Sequence, residues 1–222
     1  MQRYLAAAAP LGVRDDGQGL DFFIPEGQEI NLATLPAPFL HGYAAVAIGA
    51  QHATKRLPLQ KLVELCQQLA PRPVVLLGGP EDAPVAEAII AALSSGPPAA
   101  NFSPQQPFSH SATHPLIENG CGRYSLHQSA SLLRQADFVV SHDTGLMHIA
   151  AAFGKEIFTV WGNTVPAFGM YPFRTPFQVL EVQGLSCRPC SKIGFDKCPQ
   201  GHFKCMRDQV LDLNWPSRPD RS

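Results

Sequence analysis

What most constrains the fold of this chain is a repeating unit: a short apolar run, a polar loop, then an amphipathic helix. The run "YAAVAIGA" (43–50) carries β-branched Val46 and Ile48 and ends in Gly and Ala. After it, "PLQKLVELCQQLA" (58–70) sets Leu59, Leu62, Val63 and Cys66 on one helical face, with Pro58 at a position suited to the first turn. "PVVLLGG" (73–79) precedes "EDAPVAEAIIAAL" (81–93), a helix pattern whose first turn is acidic, as the positive end of a helix dipole favours. The unit returns in "SLHQSASLLRQ" (125–135), with Ser125 as N-cap, and in "ADFVVS" (136–141). A helix over 144–153, closed by Gly154, and the strand "EIFTVWG" (156–162) complete the series. Residues 94–115 are rich in Pro and Ser and aperiodic, which predicts a surface loop, and "PLIEN" after them predicts a short strand. Such alternation with short connections predicts an α/β fold: a Rossmann-like parallel sheet with helices on both faces.

Composition narrows the function classes. The chain has 222 residues, 45% hydrophobic and 16% charged, with a formal net charge of −1. That near-neutral balance, with no basic run interleaved with aromatics, gives no ground for a nucleic-acid partner. No apolar run approaches the roughly 20 residues of a membrane span. The apolar run near the N-terminus is broken by Pro10 and is followed by no convincing cleavage site. The expected location is therefore the cytoplasm.

In a parallel sheet of this kind, ligands bind outside the carboxyl ends of the strands. Four polar loops follow predicted strands: "AQHATKR", "GGPED", "HDTG" and "GNT". In "SHDTGLMHIAAAFG" (141–154), Asp143 or Thr144 can cap the helix that follows, and Gly145 leaves room for a ligand to approach its backbone. His148 lies on the same helical face as Thr144 and Gly145. A helix N-terminus of this kind is an anion site, and phosphate is its common guest. Lys55 offers a second charge for a phosphate. Glu81, after Gly78, Gly79 and Pro80, offers a carboxylate for ribose hydroxyls. Each residue also has an ordinary structural role: a cap, a core histidine, a solvated lysine, a helix-start acid. Their shared location at one rim points to a nucleotide-diphosphate pocket.

The stretches "LLGGPEDAPVAEAI", "SLHQSASLLRQADFVVS" and "HDTGLMHIAAAFGKEIFTVWGNTVP" resemble the bacterial heptosyltransferases, glycosyltransferase family nine, over roughly residues 43–175. The resemblance implies the C-terminal half of a GT-B fold, in which two Rossmann-like domains enclose the active site. It implies that Asp143, Thr144, Gly145 and His148 contact the sugar diphosphate, that Lys55 holds phosphate, and that Glu81 holds the ribose. Tyr124 would line the base pocket, and Thr164 would close near the sugar. Gln51 stands where a hydroxyl residue is usual. The reaction implied is inverting, metal-independent transfer from an ADP-activated heptose to a lipopolysaccharide core acceptor, with Lys55 and His148 stabilising the leaving diphosphate. No residue matches the family's catalytic aspartate, so the expectation is a truncated, catalytically incomplete chain. It would work in the cytoplasm, at most peripherally on the inner face of the inner membrane. The alternatives are a non-catalytic nucleotide-sugar-binding module and a sugar-nucleotide epimerase of the same fold.

The expected organisation is a remnant of the N-terminal acceptor domain and linker (1–40), a Rossmann-like domain (41–175) and a Cys-rich tail (176–222). In a GT-B fold the chain's end returns to the other domain, so the tail is expected to lack its docking surface here. "CRPCSKIGFDKCPQGHFKCM" (187–206) places Cys187, Cys190, Cys198 and Cys205 in a C-x2-C-x7-C-x6-C pattern around His202. The pattern suggests a structural zinc site; reduced or disulfide-bonded cysteines are the alternative.

Overall fold

The computed structural model describes residues 1–95 and 115–213. The loop expected over 94–115 lies almost wholly outside them. Six parallel strands form one sheet: β1 (Ala44–Ala47), β2 (Val74–Leu77), β3 (Ile117–Asn119), β4 (Phe138–His142), β5 (Ile157–Trp161) and β6 (Phe177–Glu181). Their order is β3-β2-β1-β4-β5-β6. The order reverses between β1 and β4, which pair Val46 with Val140 and Ala47 with Ser141. A crevice opens beyond the carboxyl ends of those two strands.

The central strands are buried on both faces, which is why they read as continuous apolar runs. Val46, Val74, Leu76, Val140 and Val160 point to one core, against Leu62, Leu65 and Cys66 of α2 (Leu59–Leu69) and Ile89 of α3 (Ala83–Ser94). Ala45, Val75, Val139 and Trp161 point to the other, against Leu132 and Leu133 of α4 (Leu126–Gln135) and Met147 and Ala150 of α5 (Gly145–Ala152). Ser125 caps α4 as expected, and the structure adds a reciprocal bond to Gln128.

Both ends of the described chain differ from expectation. The first helix, α1 (Gln2–Ala8), buries no residue, yet Leu35 and Phe39 are buried in the α4–α5 core, with Phe22, Ile24 and Ile30 packed on it. The Ile30 amide donates to Ser131 Oγ at 2.9 Å, and Gln135 Nε2 to the Ile30 carbonyl at 3.0 Å. This segment therefore packs over one face of the sheet. At the other end, β6 lies beyond residue 175 and extends the sheet by pairing with β5. The short helix α6 (Lys204–Arg207) carries Cys205 and Met206 into the α2–α3 core together with Leu211. The tail as far as residue 213 has a docking surface: β5 and the α2–α3 core.

Candidate functional site

Loops after β1, β2, β4 and β5 meet at the crevice. Lys55 enters on a single 3-10 turn (Ala53–Lys55), and its neighbours hold it there. Arg56 Nε donates to the Ala50 carbonyl at 2.6 Å, and an Arg56 guanidinium nitrogen lies 3.6 Å from Asp82 Oδ1. The Leu57 amide donates to His142 Nε2, at the end of β4, at 3.0 Å. Accepting that bond requires the neutral ring, and complete burial pushes His142 down to about 4.

So placed, Lys55 Nζ stands 2.6 Å from Asp143 Oδ2, an ion pair whose side chains are only 14% and 7% exposed. The same oxygen accepts from Thr164 Oγ1 at 3.1 Å. Asp143 thus joins the loops after β1, β4 and β5. It does not cap α5, contrary to one expectation. Nor does Thr144: it stands at the N-cap in extended backbone without a side-chain cap bond, its hydroxyl 3.4 Å from Ser141 Oγ. The first amides of α5 therefore have no side-chain acceptor, and the space where a side chain at Gly145 would stand is open. His148, half-buried on the next turn, is held below the usual histidine range chiefly by burial, against the pull of the Asp143 carboxylate.

Two adjoining cavities share Gln51, Thr144 and Gly145 as a common wall. One, of about 460 Å³, is bordered by His52, Lys55, Asp143, His148, Met170 and Ile193. The other, of about 480 Å³, is bordered by Gly49, Gly78, Gly79, Glu81, Asp82, Tyr124, Leu126 and Ser129. The first holds the Lys55–Asp143 ion pair and two histidines; the second is lined by glycine backbone, carboxylates and an aromatic ring. Burial moves the Tyr124 hydroxyl pKa up. Phosphate groups suit the first, and a nucleoside suits the second.

Seven of the eight proposed binding residues border a cavity; Thr164 is buried beneath, reaching the site through Asp143. Sequence reading missed Asp82, His52, Met170 and Ile193. Asp82 is 3% exposed and accepts from the Gly79 amide at 2.9 Å. A side chain at Gly49 would bring Cβ within 2.0 Å of its Oδ2, so the carboxylate fills a slot that glycine leaves. On the 3-10 turn Pro80–Asp82 successive residues diverge by about 120°, so of "PED" Glu81 is exposed and Asp82 is buried. That pairing was the available signal.

The cysteines are all free; Cys66 and Cys121 are buried, which pushes both thiols up to about 12. Cys187 Sγ lies 3.8 Å from His202 Nε2, and Cys190 Sγ donates to the Cys187 carbonyl at 2.8 Å. Among the described residues, no three His, Cys, Asp or Glu side chains are grouped so as to hold a metal ion. No helix among them is long and apolar enough to cross a membrane.

Lipopolysaccharide heptosyltransferase 2 of Salmonella typhimurium is 31% identical over 116 residues, which cover 51% of this chain and 29% of that protein. The family 9 glycosyl transferase of Veillonella parvula superposes with a TM-score of 0.60 at 19% identity, covering 81% of this chain and 47% of the other. An E. coli heptosyltransferase solved with ADP superposes with a TM-score of 0.52 at 24% identity, covering 78% and 47%. These likenesses to solved structures are likenesses of fold, that of the GT-B heptosyltransferases, and the chain spans about half the length of those proteins. The model of the family described as glycosyltransferase family 9 (heptosyltransferase) matches residues 2–197, so the chain belongs to that family.

Proposed function

We propose that this chain binds the sugar donor of a heptosyltransferase, an ADP-activated heptose destined for a lipopolysaccharide core acceptor. The observation that carries the reading is the Lys55–Asp143–Thr164 network beside the uncapped start of α5, with a cavity bordered by Gly78, Gly79, Glu81 and Tyr124 adjoining it. The relative solved with ADP supports the choice of nucleotide. In this reading Glu81 takes the ribose hydroxyls and Tyr124 faces the base. The diphosphate lies over the α5 amides, within reach of Lys55 and His148.

Inverting transfer breaks the bond between the sugar's anomeric carbon and the diphosphate oxygen as an acceptor hydroxyl attacks from the opposite side. Negative charge grows on the departing diphosphate. Lys55, fixed by its short bond to Asp143, and the amides of α5 meet that charge without reorganising. His148, neutral in the free protein, takes up a proton or donates a hydrogen bond as the charge develops. The acceptor's proton needs a base, and no residue here matches the family's. These 222 residues are thus proposed to bind the sugar donor and to transfer it at no more than a small fraction of a full-length relative's rate. The acceptor being a lipid-borne saccharide, the work is placed at the membrane's inner surface.

Calorimetric titration with ADP, UDP and GDP tests the reading. Selective ADP binding, weakened in Glu81→Ala and His148→Ala, is expected. Indifference to all three nucleotides, or equal affinity for them, would overturn it.

A further inference from the structure

The segment 185–206 has no part in the chemistry above, yet it touches two of the loops that carry it. The Thr54 amide donates to the Phe195 carbonyl at 3.1 Å, and the Phe195 amide donates back to Thr54 Oγ1 at 2.8 Å. Thr54 is buried and precedes Lys55. Gly194, at φ +127°, lies so close under His52 that an added Cβ would stand 2.5 Å from the His52 Cβ. On the β5 side, the Cys190 amide donates to the Asn163 carbonyl at 3.0 Å. At the N-terminal end of this stretch, on the β5–β6 side, lies Arg188, with a side chain 7% exposed. Its guanidinium donates to the Thr164 carbonyl at 3.1 Å, the Val182 carbonyl at 2.8 Å and Glu181 Oε2 at 2.8 Å.

We infer that Arg188 is a positioning residue: it fastens the segment 185–195 as a strap across the carboxyl ends of β1 and β5, setting where Thr164 and Lys55 meet Asp143. A planar guanidinium suits this role, since one rigid fork reaches three acceptors on two strands' ends. The buried charge is balanced by Glu181, so the fork is oriented by a carboxylate at the end of β6. The strap also borders the cavity of Lys55 and His148 through Ile193. Position at the diphosphate therefore depends on a segment that makes none of the diphosphate contacts through Arg188 itself.

The role of the strap rests on geometry within the free protein, while its consequence for nucleotides rests on the function proposed above. Two measurements keep these apart. Hydrogen exchange on the full chain, without nucleotide, reads the amides of Thr54, Cys190 and Phe195, whose acceptors lie across the junction. In Arg188→Met they are expected to exchange at least about tenfold faster, while amides of β2 keep their wild-type rates; Arg188→Lys, which keeps one donor and the charge, is expected to fall between. Unchanged exchange, or an equal acceleration in β2, would overturn the inference, the second outcome showing a general loss of stability. Titration with ADP and with adenosine then reads the consequence. Arg188→Met is expected to lower ADP affinity about tenfold and leave adenosine affinity unchanged, because only the diphosphate cavity adjoins the strap. Equal loss for both ligands would count against positioning. A wild-type chain that does not prefer ADP to adenosine would refute the proposed function, with the exchange data still deciding the strap.

Discussion

Replacing Lys55 with Met should cost the protein stability and ligand affinity together. In the free protein Asp143 is 7% exposed and has two side-chain partners, Lys55 at 2.6 Å and Thr164 Oγ1 at 3.1 Å. Lys55→Met leaves a buried carboxylate with one hydroxyl. Breaking a buried pair on one side costs about 3–5 kcal/mol, and the 14% exposure of Lys55 places this case near the lower end, at about 3 kcal/mol. For a domain of this size that corresponds to a fall in Tm of roughly 6–12 °C. Losing a charge-assisted hydrogen bond to phosphate should lower ADP affinity by roughly ten- to a hundredfold. The double variant Lys55→Met/Asp143→Asn removes the stranded charge, so it should regain most of the stability and none of the affinity. Urea denaturation of the wild type, both single variants and the double variant, with ADP titration of each, measures all of this. A loss under about 1 kcal/mol in Lys55→Met, or a double variant no more stable than that single one, would refute the buried-pair reasoning.

Three further outcomes are expected. His142, pushed from 6.5 to about 4 by burial, is protonated more readily in the unfolded chain, so stability present above pH 6.5 should decline as pH falls towards 4, by about 3 kcal/mol in all. Denaturation between pH 8 and 4.5 measures the slope, which should flatten in His142→Gln. His148 is held below the usual histidine range in the free protein, and a neighbouring diphosphate favours its charged form; ADP affinity should therefore rise as pH falls from 8 to 6, with proton uptake seen as a buffer-dependent enthalpy, and His148→Gln should abolish both. Gly49→Ala places a Cβ within 2.0 Å of Asp82 Oδ2 and should destabilise the fold by about 1–3 kcal/mol while weakening adenosine binding, as chemical denaturation and titration would show.

The elements legible in the sequence were those whose signal is local and uniform. β1, β2, β4 and β5 are buried on both faces and so are written as nearly continuous apolar runs, and α4 is announced by Ser125 at its N-cap. β6 was not legible, because an edge strand with a half-exposed face alternates polar and apolar residues, and "FQVLE" resembles a loop as much as a strand. The rim of the site was visible because strand ends are where such sheets bind, but its wiring was not. A local reading makes Asp143 a cap for the helix beginning two residues later; its actual partner, Lys55, is 88 residues away. Likewise Thr54 and Phe195 are 141 residues apart, a contact that no window along the chain contains.

The central claim is that the two adjoining cavities form one donor-nucleotide site, and a crystal structure of the chain soaked with ADP tests it most directly. The account predicts the adenine beside Tyr124, the ribose hydroxyls on Glu81, and the diphosphate over Gly145 between Lys55 and His148. ADP bound elsewhere, or with its phosphates in the cavity of Glu81 and Asp82, would contradict it.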